Sequence, residues 1–150
     1  IKSSSRLKVG LRWKGNPFYE NDETRTVHFE DFSSLLEISE IDFYSLQRDA
    51  GVEDLKGHSR IEDLSSQLKT WEDTAAAVSH LDLVISSCTS IPHLAAALGT
   101  PTWLLCPLTS YYVWATPGNT SPWYSSLRLF RQDKPYSWKS AVKEIQESLR

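Results

Sequence analysis

Long apolar runs, basic runs and a cysteine framework are all missing from these 150 residues. No segment approaches the roughly 18 apolar residues needed to cross a bilayer, so no transmembrane segment is expected. The opening residues, IKSSSRLK, lack the apolar stretch of a signal peptide. The net charge is −3 and no cluster of lysines and arginines interrupts it, which argues against nucleic acid as a partner. Only two cysteines occur, Cys88 and Cys106, both in apolar surroundings near expected strand ends. Free thiols in a reducing compartment fit that pattern, and a cytoplasmic location is expected. His28, His58, His80 and His93 have no ligand spacing with one another or with the cysteines, so neither a metal nor a cofactor is expected.

What remains is an ordinary globular composition, 40% hydrophobic and 23% charged, in a chain of one-domain length with room for a substantial core. A single domain over residues 1–150 is expected. The chain runs almost at once from Ile1 into an apolar strand, as a domain cut from a longer polypeptide would. Six tryptophans are many for this size, enough to serve both a core and a cleft or interface.

The hydrophobic pattern predicts a strand over Leu7–Trp13, then a long polar loop, KGNPFYENDETRT. Apolar Phe32, Leu35, Leu36 and Ile38 have the spacing of a short amphipathic helix over Glu30–Ser39. A second strand is expected at Asp42–Gln47, whereas Arg60–Leu68 reads equally as a short strand or a turn. A helix follows at Asp73–Val78, with acidic residues suiting its N-terminus. Leu83–Ser87 is a near-continuous apolar strand, fit for burial on both faces. A helix is expected at Ile91–Leu98, closed by Gly99 with Pro101 beyond. Thr102–Cys106 and Leu127–Phe130 read as further strands around a proline-rich aromatic loop, and Trp138–Leu149 as an amphipathic terminal helix.

Alternating strands and helices imply an α/β domain, a Rossmann-like open parallel sheet with helices on both faces. Ligands of such sheets bind beyond the carboxyl ends of the strands. The residues of interest therefore lie after Trp13, after Gln47, at Ser87–His93 and after Cys106. The third segment belongs to ISSCTSIPHLAAALGTP, residues 85–101, where small polar side chains crowd a strand-to-helix turn.

That turn has three readings. A helix beginning near Ser90 offers unpaired backbone N–H groups and a positive dipole end, and Ser87, Thr89, Ser90 and His93 can surround a phosphate. Alternatively, Thr89 or Ser90 only caps the helix and His93 only packs. Thirdly, Cys88 is a nucleophile, although the glycines of a G-x-S-x-G elbow are absent and no group orients His93. In the first loop, Lys14 or Arg25 can neutralise phosphate charge, with Asn16, Asn21 and Asp22 alongside; a solvated loop is the plain alternative.

The blocks GLRWKGNPFYENDETRTV, FYSLQ, DTAAAVSHLDLVISSCTSIPHLAAALGTPTWLLCP and SPWYSSLRLFRQ together resemble the C-terminal domain of GT-B glycosyltransferases. The resemblance is to ADP-heptose:lipopolysaccharide heptosyltransferases and to transferase-like domains attached to tetratricopeptide (TPR) repeats, and it extends over about residues 8–149. It implies a domain that binds a nucleotide-diphosphate sugar, with the diphosphate against the helix opened by Cys88, Thr89 and Ser90 and with His93 nearby. Arg25 is the implied basic partner in the first loop, beside Asn16. Gln47 and Arg48 are implied near the nucleoside, and Tyr111, Tyr112 and Trp114 near the sugar or acceptor. The implied partner is an N-terminal acceptor domain, or TPR repeats, outside these 150 residues. Heptosyltransferases commonly carry Asp-Thr where this chain has Cys88-Thr89. A thiol is a poor acceptor for a sugar hydroxyl, so neither heptose specificity nor catalysis follows from the resemblance. A non-catalytic transferase-like binding module is the alternative.

Overall fold

The computed structural model describes Ile1 and residues 5–150, so the middle of the polar opening stretch IKSSSRLK lies outside the described residues. Six strands form one sheet: β1 (Leu7–Arg12), β2 (Ile41–Ser45), β3 (Ile61–Asp63), β4 (Leu83–Ser87), β5 (Thr102–Cys106) and β6 (Leu127–Arg131). Their order is β3-β2-β1-β4-β5-β6 and every neighbouring pair is parallel. The strand order reverses between β1 and β4, which are paired from Val9–Leu83 to Arg12–Ser86. At such a switch point the connections leaving two adjacent strands run to opposite sides and open a crevice.

Among the described residues five α-helices accompany the sheet, with short 3-10 turns between elements: α1 (Asp22–Arg25), α2 (Ser33–Leu36), α3 (Trp71–Val78), α4 (Ser90–Ala97) and α5 (Lys139–Leu149). β4 is buried from end to end, and β5 everywhere but at half-buried Trp103, because helices cover both faces. On one face Leu11, Trp13, Phe43, Ile85 and Phe130 pack against Phe32, Leu35, Trp138 and Ile145. On the other, Tyr44, Leu46 and Val84 meet Val78, Ile91 and Ala95 of α3 and α4. A third cluster joins Leu104, Cys106 and Leu129 to Trp114, which the aromatic loop folds back over the sheet.

The elements depart from the hydrophobic pattern at their ends. The helix expected over residues 30–39 is a 3-10 turn, Phe29–Phe32, followed by the single turn of α2. Phe29, Phe32, Leu35 and Leu36 are all buried there, so the apolar stripe is real but tertiary packing holds it in a tighter form. Residues 60–68 resolve into the three-residue β3 and a turn in which the Ser65 amide donates to Asp63. Inside the polar loop, α1 is a turn that the flanking glycine, proline and asparagine conceal.

Helix α3 starts two residues before the expected Asp73. Thr70 accepts from the Asp73 amide, and the Asp73 carboxylate accepts from the Thr70 amide, a reciprocal capping box. Gly99 ends the α4 segment at φ 80°, the left-handed conformation glycine adopts without a Cβ penalty. Replacing Thr70 by Ala should lower stability by about 1 kcal/mol through loss of that cap. Urea unfolding of the two proteins measures it, and an unchanged midpoint would show that the capping bonds do not hold in solution.

Candidate functional site

The crevice beside β1 and β4 is where the polar residues gather. One cavity of about 460 Å³ lies between Tyr19, Arg25, Cys88, His93 and Tyr112. A second, about 550 Å³, lies between Arg12, Asn16, Phe18, Asp49 and Thr89. A smaller one of about 160 Å³ is lined by Arg12, Arg48, Asp49, Trp71 and Ser90. Ser90 borders all three, so they form one band around the start of α4. A cavity of about 590 Å³ beside α3, lined by Leu64, Lys69, Asp73 and His80, is roomier. It lies away from the switch point, and volume alone does not make a site.

The start of α4 is only partly free. Thr89 is its N-cap, and its Oγ1 accepts from the Ile91 amide at 3.4 Å. Pro92 has no N–H to offer, so of the first-turn donors those of Thr89 and Ser90 remain for a ligand. Ser90 is exposed at the helix tip, whereas Ser87 is fully buried and is not on a cavity wall.

Arg25 reaches the site but is tied on every side. Its Nε donates to Asp22 at 2.9 Å, its Nη1 to the Cys88 carbonyl at 3.0 Å and its Nη2 to the Asn16 carbonyl at 3.2 Å. The Tyr19 ring lies against the guanidinium, 4.1 Å from centroid to Cζ. Gly15 makes room for this arrangement, since a Cβ there would stand 2.7 Å from Arg25 Nη2. Asn16 supplies that carbonyl, and its side-chain oxygen accepts from the Phe18 amide.

Lys14 is likewise committed. It pairs with Asp54 at 2.7 Å, and the Trp13 indole donates to the same carboxylate. Burial alone would raise the Asp54 pKa, but these two hydrogen bonds outweigh it and hold the carboxyl below its ordinary value. Gln47 is buried with its amide filled: Oε1 accepts from the amides of Trp13 and Lys14, and Nε2 donates to the carbonyls of Lys14 and Ala50. It shapes the loop after β1 and does not line the three cavities. Arg48, next in the chain, is exposed and lines the smallest of them.

Burial raises the Cys88 thiol pKa, with the Trp114 indole and Arg25 pulling weakly the other way. The nearby His93 has its Nδ1 within 3.1 Å of the Tyr124 hydroxyl and its ring 4.9 Å from Trp114. Among the described residues no carboxylate orients the imidazole, and the thiol is held protonated at neutral pH, both unfavourable to a nucleophile. Trp114, only 1% exposed, backs His93 from within and does not itself line the cleft; Tyr111 and Tyr112 are exposed on its rim.

Sequence reasoning passed over Arg12, Tyr19 and Tyr124. A signal for Arg12 existed, a cation closing an otherwise apolar strand, LKVGLR. Tyr124 carries no local signal, because 31 positions separate it from His93.

No family profile and no curated protein matches the chain. Solved structures do match. The architecture is that of the heptosyltransferases, a Rossmann-like half of a GT-B glycosyltransferase fold. Heptosyltransferase WaaC of E. coli, solved with ADP-2-deoxy-2-fluoro heptose, superposes with a TM-score of 0.66 at 19% identity over 97% of this chain. E. coli ADP-heptose lps heptosyltransferase II gives 0.64 at 15% identity over 98%. The chain covers 44% and 46% of those two proteins, less than half of either. At these identities the likeness to the heptosyltransferases establishes the fold. Among the described residues no helix is long and apolar enough to cross a membrane.

Burial lowers the His93 pKa from its ordinary 6.5, so the ring is neutral at pH 7. The unfolded chain then takes up this proton at a higher pH than the folded one. Stability should fall as pH drops from 6.5 through the folded pKa, and level off below it. Following the His93 ring nitrogens by NMR should give a midpoint below 6.5, and His93→Gln should remove its share of the acid sensitivity. A midpoint at or above 6.5 would contradict the half-buried placement.

Proposed function

We propose that this chain is the nucleotide-sugar-binding domain of a GT-B glycosyltransferase, holding the donor by its diphosphate at the start of α4. The observation that carries this reading is the crevice at the strand-order reversal. There the free N–H groups of Thr89 and Ser90 and the dipole of α4 face a space bordered by arginines. The aromatic rim of Tyr19, Tyr111 and Tyr112 suits the flat faces of a sugar or base. WaaC has also been solved with ADP, with a TM-score of 0.63 to this chain at 20% identity over 95% of its length and 44% of WaaC, which supports a nucleoside diphosphate as the first ligand to try.

In this reading the sugar is transferred to a glycan, lipopolysaccharide or protein acceptor as the nucleoside diphosphate leaves. Charge develops on the leaving diphosphate, and donors already aimed at it lower the barrier. Acceptor orientation and exclusion of water require a second domain, supplied N-terminally or with TPR repeats, so the domain alone binds without turning over. The reading calls for no metal, and the free thiols Cys88 and Cys106 fit a cytoplasmic setting. A second reading, a non-catalytic transferase-like module, is favoured by Cys88 itself. Its thiol is partly buried, packed against the third hydrophobic cluster, and offers no carboxylate to a sugar hydroxyl.

Titration of the isotope-labelled chain with ADP, UDP and GDP tests the binding claim common to both readings. Amide signals of Thr89–Leu94 should move with at least one of them, with smaller changes at Tyr19–Arg25. No movement in that segment at millimolar nucleotide would overturn it.

A further inference from the structure

Arg12 ends β1 at the reversal point, opposite Ser86 of β4. It shares one cavity with Ser90 and Arg48, and another with Ser90 and Thr89. Of its five donors, Nη1 reaches the Leu46 carbonyl at 2.9 Å. Its Nε is buried and meets no acceptor among the described residues. Arginine cannot shed its charge to relieve this; Nε is walled off from solvent and Nη1 is taken, so Nη2 is the donor left for a ligand.

We propose that Arg12 is the principal cationic ligand for the donor's phosphate, and that Arg25 positions the loop around it. The two arginines differ in what they have left to give. Arg25 is paired to Asp22, bonded to two carbonyls and covered by Tyr19, and side-chain exposure is down to 14%. Arg12 makes one hydrogen bond and faces the open space beside the helix tip. Its surroundings also favour an incoming anion. Burial lowers its pKa; Asp49 acts in the opposite direction, and the positive charges of Arg25 and Arg48 add to the lowering. Arg25 is already paired with Asp22, so Arg12 and Arg48 have only Asp49 beside them in the smallest cavity, and an oxyanion there adds to that partial neutralisation.

The geometry of α4 makes such a cation necessary. Pro92 lacks an N–H and Thr89 Oγ1 takes that of Ile91, so the helix tip supplies two backbone donors where four are usual. A guanidinium with Nη2 left over adds a charged donor for phosphate oxygens. A structural role for Arg12 accounts for the Leu46 bond alone and leaves the remaining donors unexplained.

The inference rests on the nucleotide-sugar reading only for the identity of the anion, and the test separates the two. Calorimetric titrations at low salt compare ADP, UDP, GDP and inorganic pyrophosphate on the wild-type chain, Arg12→Gln and Arg12→Lys. Arg12→Gln should weaken pyrophosphate and the best nucleotide alike, by about tenfold or more, the worth of one charge-assisted hydrogen bond. Arg12→Lys, which keeps the charge without the fork, should fall between, and it carries the test if Arg12→Gln does not fold. Wild-type affinity in both variants overturns the role of Arg12 and leaves the nucleotide reading standing. Arg12-dependent binding of pyrophosphate without binding of any nucleotide overturns the nucleotide reading and leaves Arg12 standing. A wild-type chain that binds none of the four overturns both.

Discussion

Three separate stretches of chain meet on the guanidinium of Arg25: the turn at Asn16, the helical turn at Asp22, and the Cys88 carbonyl at the end of β4. Carbonyls just past the end of a parallel strand have lost their ladder partners and must find donors elsewhere. Arg25 supplies one, and in doing so pins the long loop after β1 to the turn that opens α4. Gln47 performs the equivalent task on the neighbouring strands, bonding the backbone of Trp13, Lys14 and Ala50. Gly15 is the steric condition for the knot, because any side chain there meets both Arg25 and Thr89. The crevice keeps its shape through these bonds. Residues that resemble ligands in the sequence therefore turn out to be its fasteners.

This division of labour bears on chemistry. A site that binds an anion needs donors left over after the fold has satisfied itself. At the switch point those within reach of the cavities include the amides of Thr89 and Ser90, the hydroxyl of Ser90 and the guanidiniums of Arg12 and Arg48. Cys88 contributes its carbonyl to the knot and its thiol to the core, which leaves it little to offer a sugar. His93 is held by Tyr124 and Trp114 at the mouth of the same cleft, neutral and directed. On the proposed reading, the site is better equipped to grip a diphosphate than to select the sugar attached to it.

Much of this was legible in the sequence, and the legible part follows a rule. The all-parallel sheet is evident because central strands such as LVISS and TWLLC are apolar on both faces. The α4 segment is evident because Thr89, Pro92 and Gly99 mark its ends by local stereochemistry. Where the sequence misleads, the deciding contact is long-range. Nothing near Gln47 or Lys14 announces that one is buried against a backbone 33 positions away and the other paired with Asp54. Trp114 reads as a cleft aromatic until the loop is seen folding back over Leu104 and Leu129. Arg12 is the opposite case, a residue that draws no notice. A charge at a strand end resembles a solvated edge residue until its strand is placed at the reversal of the sheet.

A diffraction structure of the chain grown with ADP tests the central claim most directly. The account predicts diphosphate oxygens within hydrogen-bonding distance of the Ser90 amide and the Arg12 guanidinium, with Arg25 still bonded to the Cys88 carbonyl. Nucleotide bound beside α3, near Leu64 and His80, or a diphosphate contacting neither Ser90 nor Arg12, would contradict it.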